Sequence, residues 1–193
     1  MTSTWLQSGV AWTATASSYY VTASPPYYYP SIAFNMYNSS GWASLQSLYN
    51  TTTGIYTTGS STTIQAGIGT VAGEWLQLQT STPLILSSYT FGAGGWHPQM
   101  PKTYYIVGSN DGSTWYPLQY VSMTTTPFTA NNQACSTNII MNYTGTQTIQ
   151  GGQTGSGTTT SYSSYVTLPF QYFRMVIPSI WASNTYGAAE IGE

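Results

Sequence analysis

The sequence predicts an all-β fold, a sandwich or barrel of short strands. Three observations carry that prediction. Apolar and polar residues alternate with a period of two in short runs. These runs are rich in β-branched and aromatic residues and are separated by Gly, Pro, Asn or Ser clusters. Finally, two cations and four acids in 193 residues are too few to build the charged i,i+4 pairs and polar faces of surface helices.

The first strand is expected at "GVAWTATA" (9–16). Around "PSIAFN" (30–35) a single helical turn is expected, with Ala33 and Phe34 buried. In "EWLQLQ" (74–79) Leu76 and Leu78 point one way and Gln77 and Gln79 the other, so one face is core. Further strands follow at "LILSSYTF" (84–91), "TYYIVGS" (103–109), "WYPLQYVSM" (115–123), "STNIIMNYT" (136–144), "SSYVTL" (163–168) and "YFRMVI" (172–177). Residues 38–63 and 144–160 read as long loops, the second a Gly/Gln/Thr low-complexity stretch expected to be mobile or covered by a neighbour. Residues 103–109 and 115–121 read as a hairpin. Its turn, Asn110-Asp111-Gly112, is built from residues that tolerate positive φ, so Asp111 and Gly112 are there for geometry. A calcium loop would need further acids near Asp111, and none follows it in the turn.

Charge excludes several functions. Charged residues make up 3% of the chain, against roughly 25% in ordinary soluble domains. Lys102 and Arg174, the only cations, cannot neutralise a run of phosphates, so nucleic acid and anionic membranes are poor partners. No apolar run reaches the length of a membrane span. The single cysteine, Cys135, excludes an intrachain disulfide, and the N-terminal stretch lacks the basic and apolar regions of an export signal. A chain with so little net charge lacks long-range repulsion, which favours life within an assembly.

Catalysis is not expected, and no cofactor is implied. The acids Glu74, Asp111, Glu190 and Glu193 show no spacing that would face two carboxylates at one substrate. Cys135 and His97 would have to meet in space to form a nucleophile and base. One chain holds too few ligands for zinc. Arg174, on a predicted strand, must have a partner if buried: Glu190, Asp111 or an aromatic ring. Trp42 and Trp115 are expected in the core.

The remaining functional signal is aromatic. "SPPYYYP" (24–30) sets Tyr27, Tyr28 and Tyr29 between prolines, and "GAGGWHPQMP" (92–101) sets Trp96 and His97 on a Gly/Pro loop. Such rings bury large area at low rotamer cost and suit sugar faces or protein grooves. They equally suit plugging the ends of a sandwich.

"PKTYYIVGSNDGSTWYPL" resembles the middle of discoidin domains, also called coagulation factor 5/8 type C domains. The other pieces fall in that family's order: "WTATASSYY" (12–20), "SIAFN" (31–35), "GWAS" (41–44), "GEWLQLQ" (73–79), "QYFRMVIPSIW" (171–181) and "AAEIGE" (188–193). The chain departs from the pattern at Gln79 and Ser81 and in lacking the terminal disulfide pair. The resemblance implies one domain over 1–193, an antiparallel jelly-roll β-sandwich of galactose-binding-like type, with insertions at about 38–63 and 124–160. It implies a non-catalytic binding module whose ligand end includes loop 24–30. The expected role is a structural subunit of an extracellular particle or appendage, such as a viral minor capsid or spike component, made without an evident signal peptide. Its expected partners are other protein subunits and glycans. The alternative is a free carbohydrate-binding lectin.

Overall fold

The computed structural model describes residues 3–7, 9–22, 28–34, 41–151, 153–181 and 186–192. The fold is all-β and antiparallel, a sandwich with two unequal layers. Its strands are β1 (Ser3–Gln7), β2 (Val10–Ala16), β3 (Trp42–Ala43), β4 (Ser61–Ile64), β5 (Gly69–Ala72), β6 (Glu74–Leu84), β7 (Ser88–Tyr89), β8 (Pro101–Ser109), β9 (Tyr116–Thr125), β10 (Ile139–Ile140), β11 (Gly145–Gln150), β12 (Thr154–Ser161), β13 (Phe170–Ile180) and β14 (Glu190–Ile191). Eight of them form one sheet in the order β1-β2-β6-β13-β8-β9-β12-β11. The opposing layer is made of two-stranded ladders, β10·β7 and β14·β3, and the loops around them.

Period-two alternation decides which face of the large sheet meets that layer. Leu76 pairs with Met175, which pairs with Ile106, and Tyr104 pairs with Val121, so these side chains line the inner face. They pack on Trp42, Phe91, Phe128, Ile139 and Ile191 of the covering layer. Trp42 is fully buried, and its indole donates to the Ser18 carbonyl at 2.8 Å.

With so few charges, most of the buried polar groups are amides and hydroxyls, the carboxylates Glu74 and Glu190 being the exceptions. Gln119, fully buried, accepts from the Tyr89 hydroxyl and donates to the carbonyls of Ile140 and Met141. Gln147 accepts from the Ile140 amide and donates to the Ile140 carbonyl. The short ladder strand β10 is thus tied to the sheet by side chains that can donate and accept at once.

The outer face has its own cover. Hairpin β4–β5 lays Ile64 against Val107, Trp115 and Val176. The guanidinium of Arg174 lies between two indoles, 3.9 Å from the ring centroid of Trp75 and 3.9 Å from that of Trp115. It donates to Gln77 Oε1 from Nε (3.2 Å) and Nη2 (2.8 Å), and from Nη1 to Thr62 Oγ1 of the hairpin at 3.0 Å. Of the three partners expected for Arg174, the aromatic ring is the one present, twice over; neither Glu190 nor Asp111 is among its contacts. Burial holds its pKa down to about 10, so it is still a cation at neutral pH.

The structure differs from the sequence reading in several places. Residues 144–160 are not a loop: β11 and β12 extend the sheet edge beside β9. Their inward positions are Gln147, Ile149, Gly155, Gly157 and Thr159. A Cβ at Gly155 would overlap Pro127, so glycine there is a packing requirement rather than a sign of mobility. Of the stretch 38–63, residues 38–40 lie outside the described residues, and 41–63 are anchored by buried Tyr49 and Tyr56, whose rings meet edge to face at 5.1 Å, and supply β3 and the start of the hairpin. The strands expected at 84–91 and 136–144 shrink to β7 and β10. The strand expected at 163–168 is instead the helical turn α1 (Ser163–Val166). Tyr165, half-buried, stacks on Tyr116 at 5.2 Å while its neighbour Val166 is buried, and adjacent residues share a side on a helix but not on a strand.

The β8–β9 turn also works differently from the expectation. Only Gly112 has positive φ (+71°). Asp111 acts as an acceptor: Oδ1 receives the amides of Ser113 (2.8 Å) and Thr114 (2.7 Å) and the Ser109 hydroxyl, while Oδ2 receives the Thr114 hydroxyl. These donors, chiefly the Thr114 amide, hold its pKa well below the usual carboxylate range. Asp111→Ala is therefore expected to speed amide hydrogen exchange at Ser113 and Thr114. In the wild type the protection factors of the same amides, taken relative to the intrinsic exchange rate at each pH, should fall as pH drops through the ordinary carboxylate range toward the depressed folded value. Unchanged exchange in the variant would show that the turn holds itself without the carboxylate.

Candidate functional site

At one end of the sandwich, four loops converge on β14. The chain leaving β2 brings Tyr20, whose amide donates to the Ala43 carbonyl of β3 at 2.8 Å. Tyr28 lies against it with ring centroids 5.8 Å apart. The Gly-rich loop 92–95 reaches β14 through reciprocal backbone bonds between Gly92 and Gly192, and it ends in Trp96, which precedes the 3-10 turn His97–Gln99. Tyr186 packs edge to face on Trp96 at 5.7 Å. Tyr20, Tyr28, Trp96 and Tyr186, with Gln46 and Gln99, line a cleft of about 230 Å³, and Glu190 also lines it.

Glu190 is 2% exposed. Its Oε1 accepts the Gly95 amide at 2.5 Å. A Cβ at Gly94 would overlap the same carboxyl, which explains the glycine pair in "GAGGW". Burial pushes the pKa of Glu190 up to about 7, against the opposing pull of the Gly95 and Trp96 amides. Near neutral pH the group is therefore divided between an acceptor-only carboxylate and an acid that also donates. Burial, and next the Glu190 charge, raise the pKa of Tyr28.

The residues singled out from the sequence are distributed as follows. Trp96 and Tyr28 meet in the cleft with Glu190. Tyr27 lies outside the described residues. Tyr29 packs edge to face on Tyr19 at 5.5 Å, outside the cleft lining. His97 turns from the cleft to Asn131, whose Oδ1 is 3.1 Å from its Nδ1 and accepts its amide at 2.9 Å. Cys135 donates to the Thr137 carbonyl at 3.2 Å, so His97 and Cys135 have separate partners. Asp111, Gly112, Trp115 and Arg174 belong to the turn and the outer face. Among the described residues no group of three or more His, Cys, Asp or Glu comes together, and no helix is long and apolar enough to cross a membrane.

Tyr20, Tyr186, Gln46 and Gln99 were not legible as site residues. They converge only because the two-residue ladder β14·β3 joins 190–191 to 42–43, and a ladder that short leaves no periodic trace in the sequence. Comparison of the chain with protein-family models, with curated proteins and with solved structures finds no match.

Proposed function

We propose that this protein is a non-catalytic binding module whose aromatic cleft holds a hydroxyl-rich neutral ligand, a saccharide. The observation that carries the reading is the combination in one cleft of four aromatic rings with a buried carboxyl and two amide side chains. Rings offer flat apolar faces, while Glu190, Gln46 and Gln99 offer donors and acceptors suited to hydroxyls. Among the described residues Glu190 is the only acid in the lining, whereas glycoside hydrolysis ordinarily uses two. The resemblance to discoidin domains points the same way.

The test is a glycan array followed by titration of the best binder, read by tryptophan fluorescence. Trp96 is 40% exposed, so Trp96→Ala should leave the fold intact and weaken binding at least tenfold. An array without hits, or equal affinity in Trp96→Ala, would remove the reading.

A second role, as a subunit of a larger extracellular or viral particle, is favoured by exposed apolar side chains in a chain with almost no charge. Val21 and Leu45, next in sequence to Tyr20 and near Gln46, are 63% and 48% exposed. Sedimentation at micromolar concentration should then show oligomers, and a dilute monomer at every concentration would count against this role.

A further inference from the structure

The inner face of the large sheet is incompletely covered. Between it and residues 84–91 lies a cavity of about 640 Å³ that shares no lining residue with the aromatic cleft. Its floor is Leu76 and Leu78 of β6 with Phe173 and Met175 of β13, Leu84 at the end of β6 lies at its margin, and Leu86 and Phe91 line it from the covering layer. Leu78, Leu86, Phe173 and Met175 point between the layers yet are only half-buried, so the space is open to solvent. A volume in the range of about 300–1,000 Å³ with a mostly apolar lining is typical of small-molecule sites.

Trp12 of β2 also lines this cavity, and its indole Nε1 is buried with no acceptor. Orphaned buried N–H groups are rare in folded proteins, because each forfeits a hydrogen bond that water would have supplied. A guest with an oxygen acceptor beside an apolar body would satisfy it. Arg174 is the one cation in the lining, but it alternates with Phe173 and Met175 and its guanidinium is held on the outer face between Trp75 and Trp115, so no positive charge is offered to the cavity. An ionised head group would therefore be buried unpaired, which is costly.

We propose that this cavity binds an elongated apolar molecule of the acyl-chain class with a neutral oxygen head, an alcohol or ester, accepting a hydrogen bond from Trp12 Nε1. The site is independent of the saccharide reading. Octanol, decanol and dodecanol titrated into the full chain by calorimetry should bind one per chain, with affinity rising about fourfold per added methylene. Dodecanoate should bind more weakly than dodecanol. Trp12→Phe, which keeps an aromatic body and removes the donor, should weaken dodecanol several-fold.

Leu78→Trp fills the space and should weaken binding at least tenfold while leaving the strand-rich circular dichroism spectrum and any saccharide binding at Trp96 unchanged. Leu86→Trp fills the same space from the opposite wall and serves where Leu78→Trp does not fold. Absence of saturable dodecanol binding to the wild type, affinity that does not change with chain length, or full binding in the filled variants overturns the proposal. So does a self-associated wild type that Leu78→Trp renders monomeric without any alcohol binding, since a second copy would then be the cover.

Discussion

Arg174→Ala is expected to destabilise the protein by about 3 kcal/mol, the largest loss from a single non-core substitution. Removing the guanidinium empties the slot between Trp75 and Trp115 and takes both donors from Gln77 Oε1 and one from Thr62 Oγ1. A desolvated cation–π contact contributes roughly 2 kcal/mol, and an acceptor left unsatisfied in a buried place costs about 1–3 kcal/mol. Recovery of the desolvation penalty that lowers the pKa of Arg174 offsets part of the sum.

For a chain of this length, a loss of that size lowers the melting temperature by about 10 °C. Hydrogen exchange in β4–β5 should quicken first, because Thr62 is the hairpin's direct bond to Arg174. Arg174→Lys should lose about half as much, since a single ammonium cannot lie flat between two rings and bind Gln77 twice. Urea unfolding of the three proteins decides it, and a loss below about 1 kcal/mol for Arg174→Ala would mean that hairpin and sheet are held by Ile64 and its apolar neighbours alone.

The same residue shows what a sequence can and cannot convey here. A lone cation on a strand in so charge-poor a chain had to find a partner, and an aromatic ring was among the choices. That two indoles, Trp75 of β6 and Trp115 just before β9, would enclose it depends on pairing across strands far apart in sequence. The β4–β5 hairpin that covers them falls partly within 38–63, which reads as a loop, and partly in 64–72, to which the sequence assigns no element. Yet its alternation is present: Thr62 and Ile64 face in, Ser61 and Thr63 face out. Strands β6, β8, β9 and β13 were legible because their inward residues are large and apolar. Strands β11 and β12 were not, because apart from Ile149 their inward positions hold glycine, glutamine and threonine and match a low-complexity loop in composition. Half of the cleft was legible, as Tyr28 and Trp96 on loops too stiff to collapse. Its floor was not, since Glu190 gains its place only by long-range pairing with Ala43.

Glu190→Gln is expected to stabilise the protein at pH 8 and to do so far less at pH 5. Glu190 titrates near 7 in the folded chain and at the ordinary glutamate value, about 4.5, when unfolded. Between those values the folded state binds more protons than the unfolded state, so stability falls as pH rises from about 4.5 to 7, and the full cost is present above 7. At 1.36 kcal/mol per unit the cost is on the order of 3 kcal/mol, an upper bound because water reaches the cleft. The groups facing the carboxyl are the Gly95 and Trp96 amides and the Tyr28 hydroxyl, and no cation is among the cleft residues to repay the charge. Glutamine keeps an oxygen for the Gly95 amide and removes the charge. Urea midpoints at pH 5 and pH 8 measure the difference, and equal midpoints for wild type and variant at pH 8 would mean that the carboxylate is already solvated. A group that costs stability wherever it is ionised, set among four rings, fits the ligand-binding role proposed for the cleft. The same substitution should therefore weaken saccharide binding at the pH where it strengthens the protein.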